Sequence, residues 1–322
     1  MGRYKKNKKI NKKNFSKVKK ILITGSQGFL GKNLLNFLKK KNLHVVGDGK
    51  KFDLKNIKET KKLFYKSKPD IVIHCAGKTG GVSYTSQYPA TILRENIKIN
   101  SNIFEIASSF QIKKLILIGA SCVYPDKKNI KLSEKLMFNG PFHPSVEAYG
   151  FWKLSQIITM NAYKKEFDLN SFCIIFPNIY GPGDDFKSKN SHVIGALINK
   201  FFDAKKKKKS FVNCLGTGEE IRDCIYIDDA VSAIHKIINK KFNFNYINIS
   251  TGKGFKIKFL AKLIKKKINY KGEITWENLK NKSANFKILD VKNTKKKLEW
   301  FPKYNLSKGL DKTITWYKNT NK

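Results

Sequence analysis

Residues 21–31, with the sequence ILITGSQGFLG, constrain the fold of this chain more than any other segment. The apolar run Ile21–Thr24 predicts a strand, and an amphipathic helical pattern begins at about Gly28. Between them, Gly25 permits a tight turn, Gly28 lets the backbone approach a pyrophosphate, and Gly31 lets helix and strand pack closely. The free N–H groups at the start of the helix would face that anion. The segment therefore predicts a dinucleotide-binding strand, loop and helix.

Apolar runs alternate with helical patterns through the first half of the chain. Strands are predicted at residues 21–24, 43–47, 71–74, 115–118 and 172–176, with helices at about 28–41, 54–67, 90–110 and 146–167. Because the strands are apolar throughout, they are typical of a parallel sheet that is covered on both faces. We predict an α/β fold, a doubly wound parallel Rossmann-type sheet, followed by a smaller C-terminal substrate-binding region.

The formal charge of +42 does not by itself indicate a nucleic-acid partner. Of the 66 Lys and Arg residues only Arg3, Arg94 and Arg222 are arginine, and lysines occur in every segment. A dedicated nucleic-acid surface usually uses arginine for bidentate contacts, so we interpret the charge as compositional drift and expect no specific nucleic-acid binding.

The remaining composition favours a protein of the cytoplasm. No apolar run approaches the roughly 20 residues that a membrane span requires, so we expect no membrane association. The five cysteines are scattered without the close pairing of a zinc site or redox motif, so reduced thiols and no bound metal are expected.

The end of the second predicted strand bears on cofactor choice. Asp48 stands where a carboxylate binds the ribose 2′-hydroxyl, which favours NAD(H), whereas Lys50 and Lys51 just beyond it could receive a 2′-phosphate. The preference stays open at this point. Asp53, followed by Leu54, is better placed for the adenine end.

A reactive constellation follows the fourth predicted strand. Tyr149 and Lys153 are four residues apart on a predicted helix and therefore share a face. A nearby ammonium favours the phenolate form of a tyrosine, which can then exchange a proton with a substrate oxygen. The small residues Gly119, Ala120 and Ser121 would leave room for ligands at the carboxyl end of the strand.

The glycine loop, the segment GASCVYP at residues 119–125 and the Tyr149–Lys153 pair together resemble the extended short-chain dehydrogenase/reductase family, also called the NAD-dependent epimerase/dehydratase family. Within that family the chain is similar to the GDP-L-fucose synthases. The matching segments are HCAGKTGG at 74–81, SCVYP at 121–125, NIYGP at 178–182, NSHVI at 190–194, GTGEEIR at 216–222 and YIDD at 226–229.

This resemblance implies an activity and a set of partners. The enzyme would invert C3 and C5 of a GDP-linked 4-keto-6-deoxy-hexose and then reduce the C4 ketone with hydride from NADP(H). The resemblance also implies a homodimer formed through a four-helix bundle by the two long helices before the fourth and fifth strands.

The resemblance further implies roles for individual residues. Tyr149, Lys153 and Ser121 would serve reduction, and Cys122 and His192 would be the base and acid of the inversions. The implied cofactor-binding residues are Gly25, Gln27, Gly28, Phe29, Leu30, Gly31, Asp48, Asp53, Leu54, Cys75, Ala76, Gly77, Gly119, Ala120, Lys153, Asn178 and Ile179. Those for the substrate are Lys78, Lys200, Leu215, Arg222 and Lys287.

Four positions depart from the pattern of the family. Ala120 replaces the catalytic Ser or Thr, so Ser121 or a water would supply the hydrogen bond, or reduction would be slower. Gln27 and Gly49 stand where NADPH-dependent relatives carry arginines, which keeps NAD(H) plausible. Leu215 replaces a tryptophan at the nucleotide base.

These departures leave two alternatives open. One is an NAD-retaining nucleotide-sugar 4-epimerase, dehydratase or dehydrogenase, and the other is a non-catalytic dinucleotide-binding protein. In either case we expect a basic flexible leader at residues 1–18 and a dinucleotide-binding domain at 19–177, to which 224–250 returns. Residues 178–223 and 251–322 would form the nucleotide-sugar-binding region.

Overall fold

The computed structural model describes residues 19–127, 129–187, 190–277 and 284–321. The predicted leader at residues 1–18 lies outside the described residues. The strands, in chain order, are β1 (Ile21–Thr24), β2 (Val45–Gly47), β3 (Ile71–His74), β4 (Lys114–Ala120), β5 (Ser171–Phe176), β6 (Asn178–Tyr180), β7 (Phe211–Leu215), β8 (Ile221–Tyr226), β9 (Tyr246–Asn248), β10 (Gly254–Lys256), β11 (Glu273–Glu277) and β12 (Phe286–Lys287).

Six parallel strands form the main sheet, in the order β2-β1-β3-β4-β5-β9. Every residue of β1, β3 and β5 is buried, as expected for strands covered on both faces. The predicted doubly wound, Rossmann-type sheet is confirmed. The strand near residue 246 returns to this sheet, because Tyr246 pairs with Cys173 of β5.

Helices cover both faces of the sheet and also build the C-terminal part of the chain. They are α1 (Phe29–Lys40), α2 (Ile57–Ser67), α3 (Val82–Gln87), α4 (Pro89–Ser109), α5 (Glu147–Phe167), α6 (Val193–Lys206), α7 (Ile227–Ile238), α8 (Ile257–Ile268) and α9 (Leu306–Thr320). Short 3₁₀ turns lie at Ser121–Val123, Glu134–Leu136 and Pro144–Val146, and a π-helical turn lies at Thr294–Leu298. Two buried apolar clusters, one on each side of the sheet, hold these layers together.

The C-terminal part contributes two smaller sheets. Strand β8 pairs with β6 and β12 in parallel and with β10 antiparallel, and β7 pairs with β11. The pairing of β8 with β12 sets Arg222 opposite Lys287. This small sheet therefore carries two cations on neighbouring strands, beyond the carboxyl ends of the main sheet.

None of the helices in the described residues combines the length and the hydrophobicity of a membrane span. Within the same residues, no group of three or more His, Cys, Asp or Glu side chains is arranged to hold a metal ion. All five cysteines are free thiols.

Candidate active site

One cavity of about 440 Å³ lies at the carboxyl ends of β1, β3, β4 and β5. It brings together most of the residues that the sequence singled out. These are Gly25, Gly28, Phe29, Leu30, Gly31, Cys75, Gly77, Gly119, Ala120, Ser121, Cys122, Tyr149, Lys153, Asn178, Ile179, His192, Arg222 and Lys287. The position is the one at which open α/β sheets bind ligands.

The glycine loop is held in shape by packing and by a buried carboxylate. A Cβ at Gly31 would lie only 2.1 Å from the Gly25 carbonyl oxygen, so the loop closes tightly on the start of α1. Asp48 is buried and accepts hydrogen bonds from the Gly25 N–H at 2.6 Å, the Ser26 N–H at 3.0 Å and the Ser26 hydroxyl at 2.7 Å. The resulting cradle, with helix N–H groups at its edge, fits the pyrophosphate of a dinucleotide.

Lys153 and Tyr149 line the cavity from one face of α5, as their spacing predicted. The Lys153 ammonium donates to the Ile118 carbonyl of β4 at 2.7 Å, and burial lowers its pKa to about 8. Burial raises the pKa of Tyr149 well above its ordinary value. The phenol therefore holds its proton at neutral pH, because loss of solvent disfavours the phenolate and the neighbouring Cys122 raises the pKa further. The phenolate that the sequence favours beside a cationic nicotinamide stays a prediction.

Cys122 and His192 contribute the second pair of reactive groups. Cys122 lies in the 3₁₀ turn that follows β4, and burial raises the pKa of its thiol to about 11, although Lys287 and Lys153 favour the thiolate. His192 precedes α6 directly, and burial lowers its pKa while the Asp185 carboxylate opposes this shift. At neutral pH the site thus holds a neutral thiol and a neutral imidazole.

Arg222 and Lys287 give the cavity wall positive charge. They face each other across the β8–β12 pairing, and both line the cavity. Two cations on neighbouring strands suit a phosphate or diphosphate, because Arg offers a bidentate fork and Lys a point charge.

Eight of the predicted site residues lie outside the cavity wall. They are Gln27, Asp48, Asp53, Leu54, Ala76, Lys78, Lys200 and Leu215. Lys78 pairs with Glu95 at 3.3 Å, and the Lys200 ammonium donates to the Asn213 carbonyl at 2.8 Å. Asp53 and Leu215 are exposed.

The cavity also contains polar residues that the sequence reasoning did not single out. Thr79, Ser145 and Asn190 line it, as does Asp184. Burial raises the pKa of Asp184 to about 7, and its Oδ2 has no hydrogen-bond partner among the described residues. Thr79 and Asn190 belong to segments that carried the family resemblance, so those segments were the available signal.

The sequence profile of the NAD dependent epimerase/dehydratase family matches residues 21–250. The chain belongs to this family of NAD(P)-dependent enzymes. It is 30% identical over 296 residues to the GDP-L-fucose synthase of Sinorhizobium fredii, and the alignment covers 92% of this chain and 94% of that protein.

Two solved structures from Campylobacter jejuni are also similar to the chain. One is a GDP-6-OMe-4-keto-L-xylo-heptose reductase, with a TM-score of 0.87, 26% identity and coverage of 94% of this chain and 98% of that one. The other is a GDP-mannoheptose C4 reductase with NADP bound, with a TM-score of 0.83, 26% identity and coverage of 93% and 98%.

Proposed function

We propose that this protein is a GDP-sugar epimerase-reductase that inverts C3 and C5 of a GDP-linked 4-keto-6-deoxy-hexose and reduces the C4 ketone. The single observation that carries the proposal is that one cavity is lined by both reactive pairs, Tyr149 with Lys153 and Cys122 with His192. An enzyme that only moved hydride would need the first pair alone. The similarity to a GDP-L-fucose synthase supports the same activity.

The reduction uses the phenol and the ammonium of α5. Tyr149 Oη carries a proton at neutral pH and donates it to the C4 oxygen, because burial keeps the phenol in its neutral form. Lys153 holds the nicotinamide ribose, and the glycine loop holds the pyrophosphate. When bound, the nicotinamide cofactor supplies the hydride.

The inversions use the thiol and the imidazole. A C4 ketone acidifies the neighbouring C3 and C5 hydrogens, so each inversion needs one group that removes a proton and another that returns a proton to the opposite face. The Cys122 thiol passes its proton to solvent, and the resulting thiolate, which Lys287 and Lys153 favour, removes the ring proton. His192, protonated from solvent, returns a proton to the opposite face. Arg222 and Lys287 bind the diphosphate of the substrate.

We infer NADPH as the reductant. The Asp48 carboxylate already accepts three hydrogen bonds from the glycine loop, whereas Lys50 and Lys51 are exposed beyond β2. A similar reductase binds NADP.

Replacing Lys50 and Lys51 by Ala should raise the KM for NADPH at least about tenfold and leave that for NADH nearly unchanged, because about two phosphate contacts would be lost. Equal effects on both cofactors would mean that Lys50 and Lys51 do not receive the 2′-phosphate.

The proposed function also bears on the oligomeric state of the protein and on its location in the cell. We propose a homodimer that pairs α4 and α5 with their copies in a second chain, and a cytoplasmic location, where free thiols stay reduced.

Two variants separate the two half-reactions. Cys122→Ser should abolish deuterium uptake by the ketone from deuterated water and should spare reduction of a ketone that is already inverted. Tyr149→Phe should do the opposite, with reduction slowed by about 10²-fold or more because the proton donor is lost. If Cys122→Ser exchanges deuterium at the native rate, Cys122 is not the base.

A reductase without epimerase activity is the second candidate. The raised pKa of Cys122 favours it, and so do the two similar reductases. Cofactor oxidation by the native protein without deuterium uptake would select this candidate.

A further inference from the structure

Trp152 lies between the two residues proposed to carry the reduction and contacts both. Its side chain is fully buried. The Lys153 ammonium lies 4.0 Å from the centroid of the indole ring. The Tyr149 ring meets the indole edge to face, with centroids 5.2 Å apart and planes inclined at 74°. A single side chain thus touches the proton donor and its neighbouring cation.

The surroundings of Trp152 are built to accept a large ring. A Cβ at Gly77 would lie 2.7 Å from Cη2 of the indole, so only glycine leaves room for the ring at this point of the cavity wall. The indole Nε1 is buried and has no hydrogen-bond partner among the described residues. A buried donor without a partner costs free energy that an aliphatic side chain would avoid. Some other interaction of the ring must offset this cost, and its face is the part that meets the ammonium.

The other titratable groups that face Lys153 do not supply a negative charge at neutral pH. They are His74 of β3, Cys75, Cys122, Cys173 of β5, and Tyr149 one turn away. Burial lowers the pKa of His74 to about 4 and raises those of Cys75 and Cys173 to about 12. The partners that favour the ammonium are therefore the Ile118 carbonyl and the indole.

We propose that Trp152 is a positioning residue that holds the Lys153 ammonium and the Tyr149 ring in place through the face and edge of its indole. The role of Lys153 rests on the proposed function, but the contact itself does not. An aromatic face attracts a cation most strongly where water is excluded, as it is here. The indole therefore keeps Lys153 charged, and so able to hold the nicotinamide ribose, at pH values where a buried amine would otherwise lose its proton.

The test measures how cofactor binding depends on pH in three proteins, the native protein, Trp152→Phe and Trp152→Leu. The fluorescence of the reduced nicotinamide reports the binding. Affinity of the native protein should fall above about pH 8, where Lys153 loses its proton. Trp152→Leu should move that midpoint down by about one pH unit, the size of a desolvated cation–aromatic contact, and Trp152→Phe should move it less. Equal midpoints in all three proteins overturn the proposal.

A fluorinated ring provides a test that does not depend on the folding of Trp152→Leu. Growth on 5-fluorotryptophan withdraws electron density from the ring face without removing the ring. The midpoint should fall in the native sequence and stay fixed in Trp152→Phe, which carries the label only at its other tryptophans. A midpoint that the label leaves unmoved in the native sequence overturns the proposal.

The outcomes for Trp152 and for the proposed function are distinct. A shifted midpoint in a protein that does not turn over a GDP-linked 4-keto sugar keeps the role of Trp152 and removes the proposed function. Turnover of that sugar with an unshifted midpoint keeps the proposed function and removes the role of Trp152. A protein that binds neither reduced cofactor overturns both.

Discussion

Ala120, the last residue of β4, and Ser121 directly after it both line the cavity, so a small residue is followed there by a hydroxyl. The sequence correctly predicted that these residues line a ligand site, because small residues at the end of an apolar strand indicate such a site in a parallel sheet. Protonation states were not predictable in the same way. The thiol of Cys122 and the phenol of Tyr149 both keep their protons through burial, and burial depends on elements far apart in the chain.

Restoring a hydroxyl at position 120 should speed the reduction. Removing one hydrogen-bond donor from a developing oxyanion typically costs 10²- to 10³-fold in rate, so Ala120→Ser should raise kcat for ketone reduction by about tenfold or more. Single-turnover cofactor oxidation measures this rate, with Ser121→Ala as the matched control. An unchanged rate in Ala120→Ser, together with a large loss in Ser121→Ala, would mean that Ser121 already supplies the donor.

The two half-reactions should respond to pH in opposite directions. The pKa of Cys122 is raised to about 11, so the thiolate fraction grows about tenfold for each unit between pH 7 and pH 9. Because removal of the ring proton by the thiolate is expected to limit the rate, deuterium uptake by the ketone without reductant should rise accordingly. Reduction should decline above about pH 8, where Lys153 loses its ammonium. Uptake that stays flat over this range would exclude Cys122 as the base.

At the level of whole elements, the sequence predicted strands β1 to β5 and helices α1, α2, α4 and α5 to within a few residues but missed the short helix α3. The helix predicted from residue 54 begins at Ile57, because the Asn56 side chain accepts hydrogen bonds from the Lys58 and Glu59 N–H groups and caps it there. The short strands of the C-terminal part and helix α9 were not predicted. Strands of two or three residues, such as β12, exist only through pairing with distant partners.

Lys114 shows how a distant contact fixes an element. It begins β4, yet its buried ammonium donates to the carbonyls of Ile237, Ile238 and Lys240 at the end of α7. Lys114→Met should lower the free energy of unfolding by about 2 to 3 kcal/mol, because charge-assisted hydrogen bonds to these carbonyls are lost. Urea denaturation measures the change.

The neighbouring residue provides the control for this prediction. Lys113 is exposed and pairs with Asp70 at 2.8 Å, so Lys113→Met should cost less than about 1 kcal/mol. Equal losses in the two variants would show that the buried ammonium does not stabilise α7.

At the scale of the whole molecule, α4 and α5 pack together and leave apolar side chains on their outer face. Ile97 of α4 and Phe151 and Ile158 of α5 are 41%, 47% and 51% exposed. Exposed apolar residues grouped on neighbouring helices indicate an interaction surface. Their arrangement agrees with the dimeric bundle that the sequence resemblance implied.

The proposed dimer predicts the effect of a charge on that face. Ile158→Glu should convert the protein from a dimer to a monomer, because two buried carboxylates would face each other across the two-fold axis. Light scattering after size-exclusion chromatography measures the mass. Phe301→Glu, at an exposed position outside these helices, should leave the dimer intact. A native protein that elutes as a monomer would contradict the bundle.

The central claim is that one cavity carries out both the inversions and the reduction. The most direct test is to incubate the native protein with GDP-4-keto-6-deoxymannose and NADPH in deuterated water and to locate the label in the product. The account predicts deuterium at both C3 and C5 of a reduced, inverted sugar. Oxidation of the cofactor with no deuterium at either carbon would contradict it.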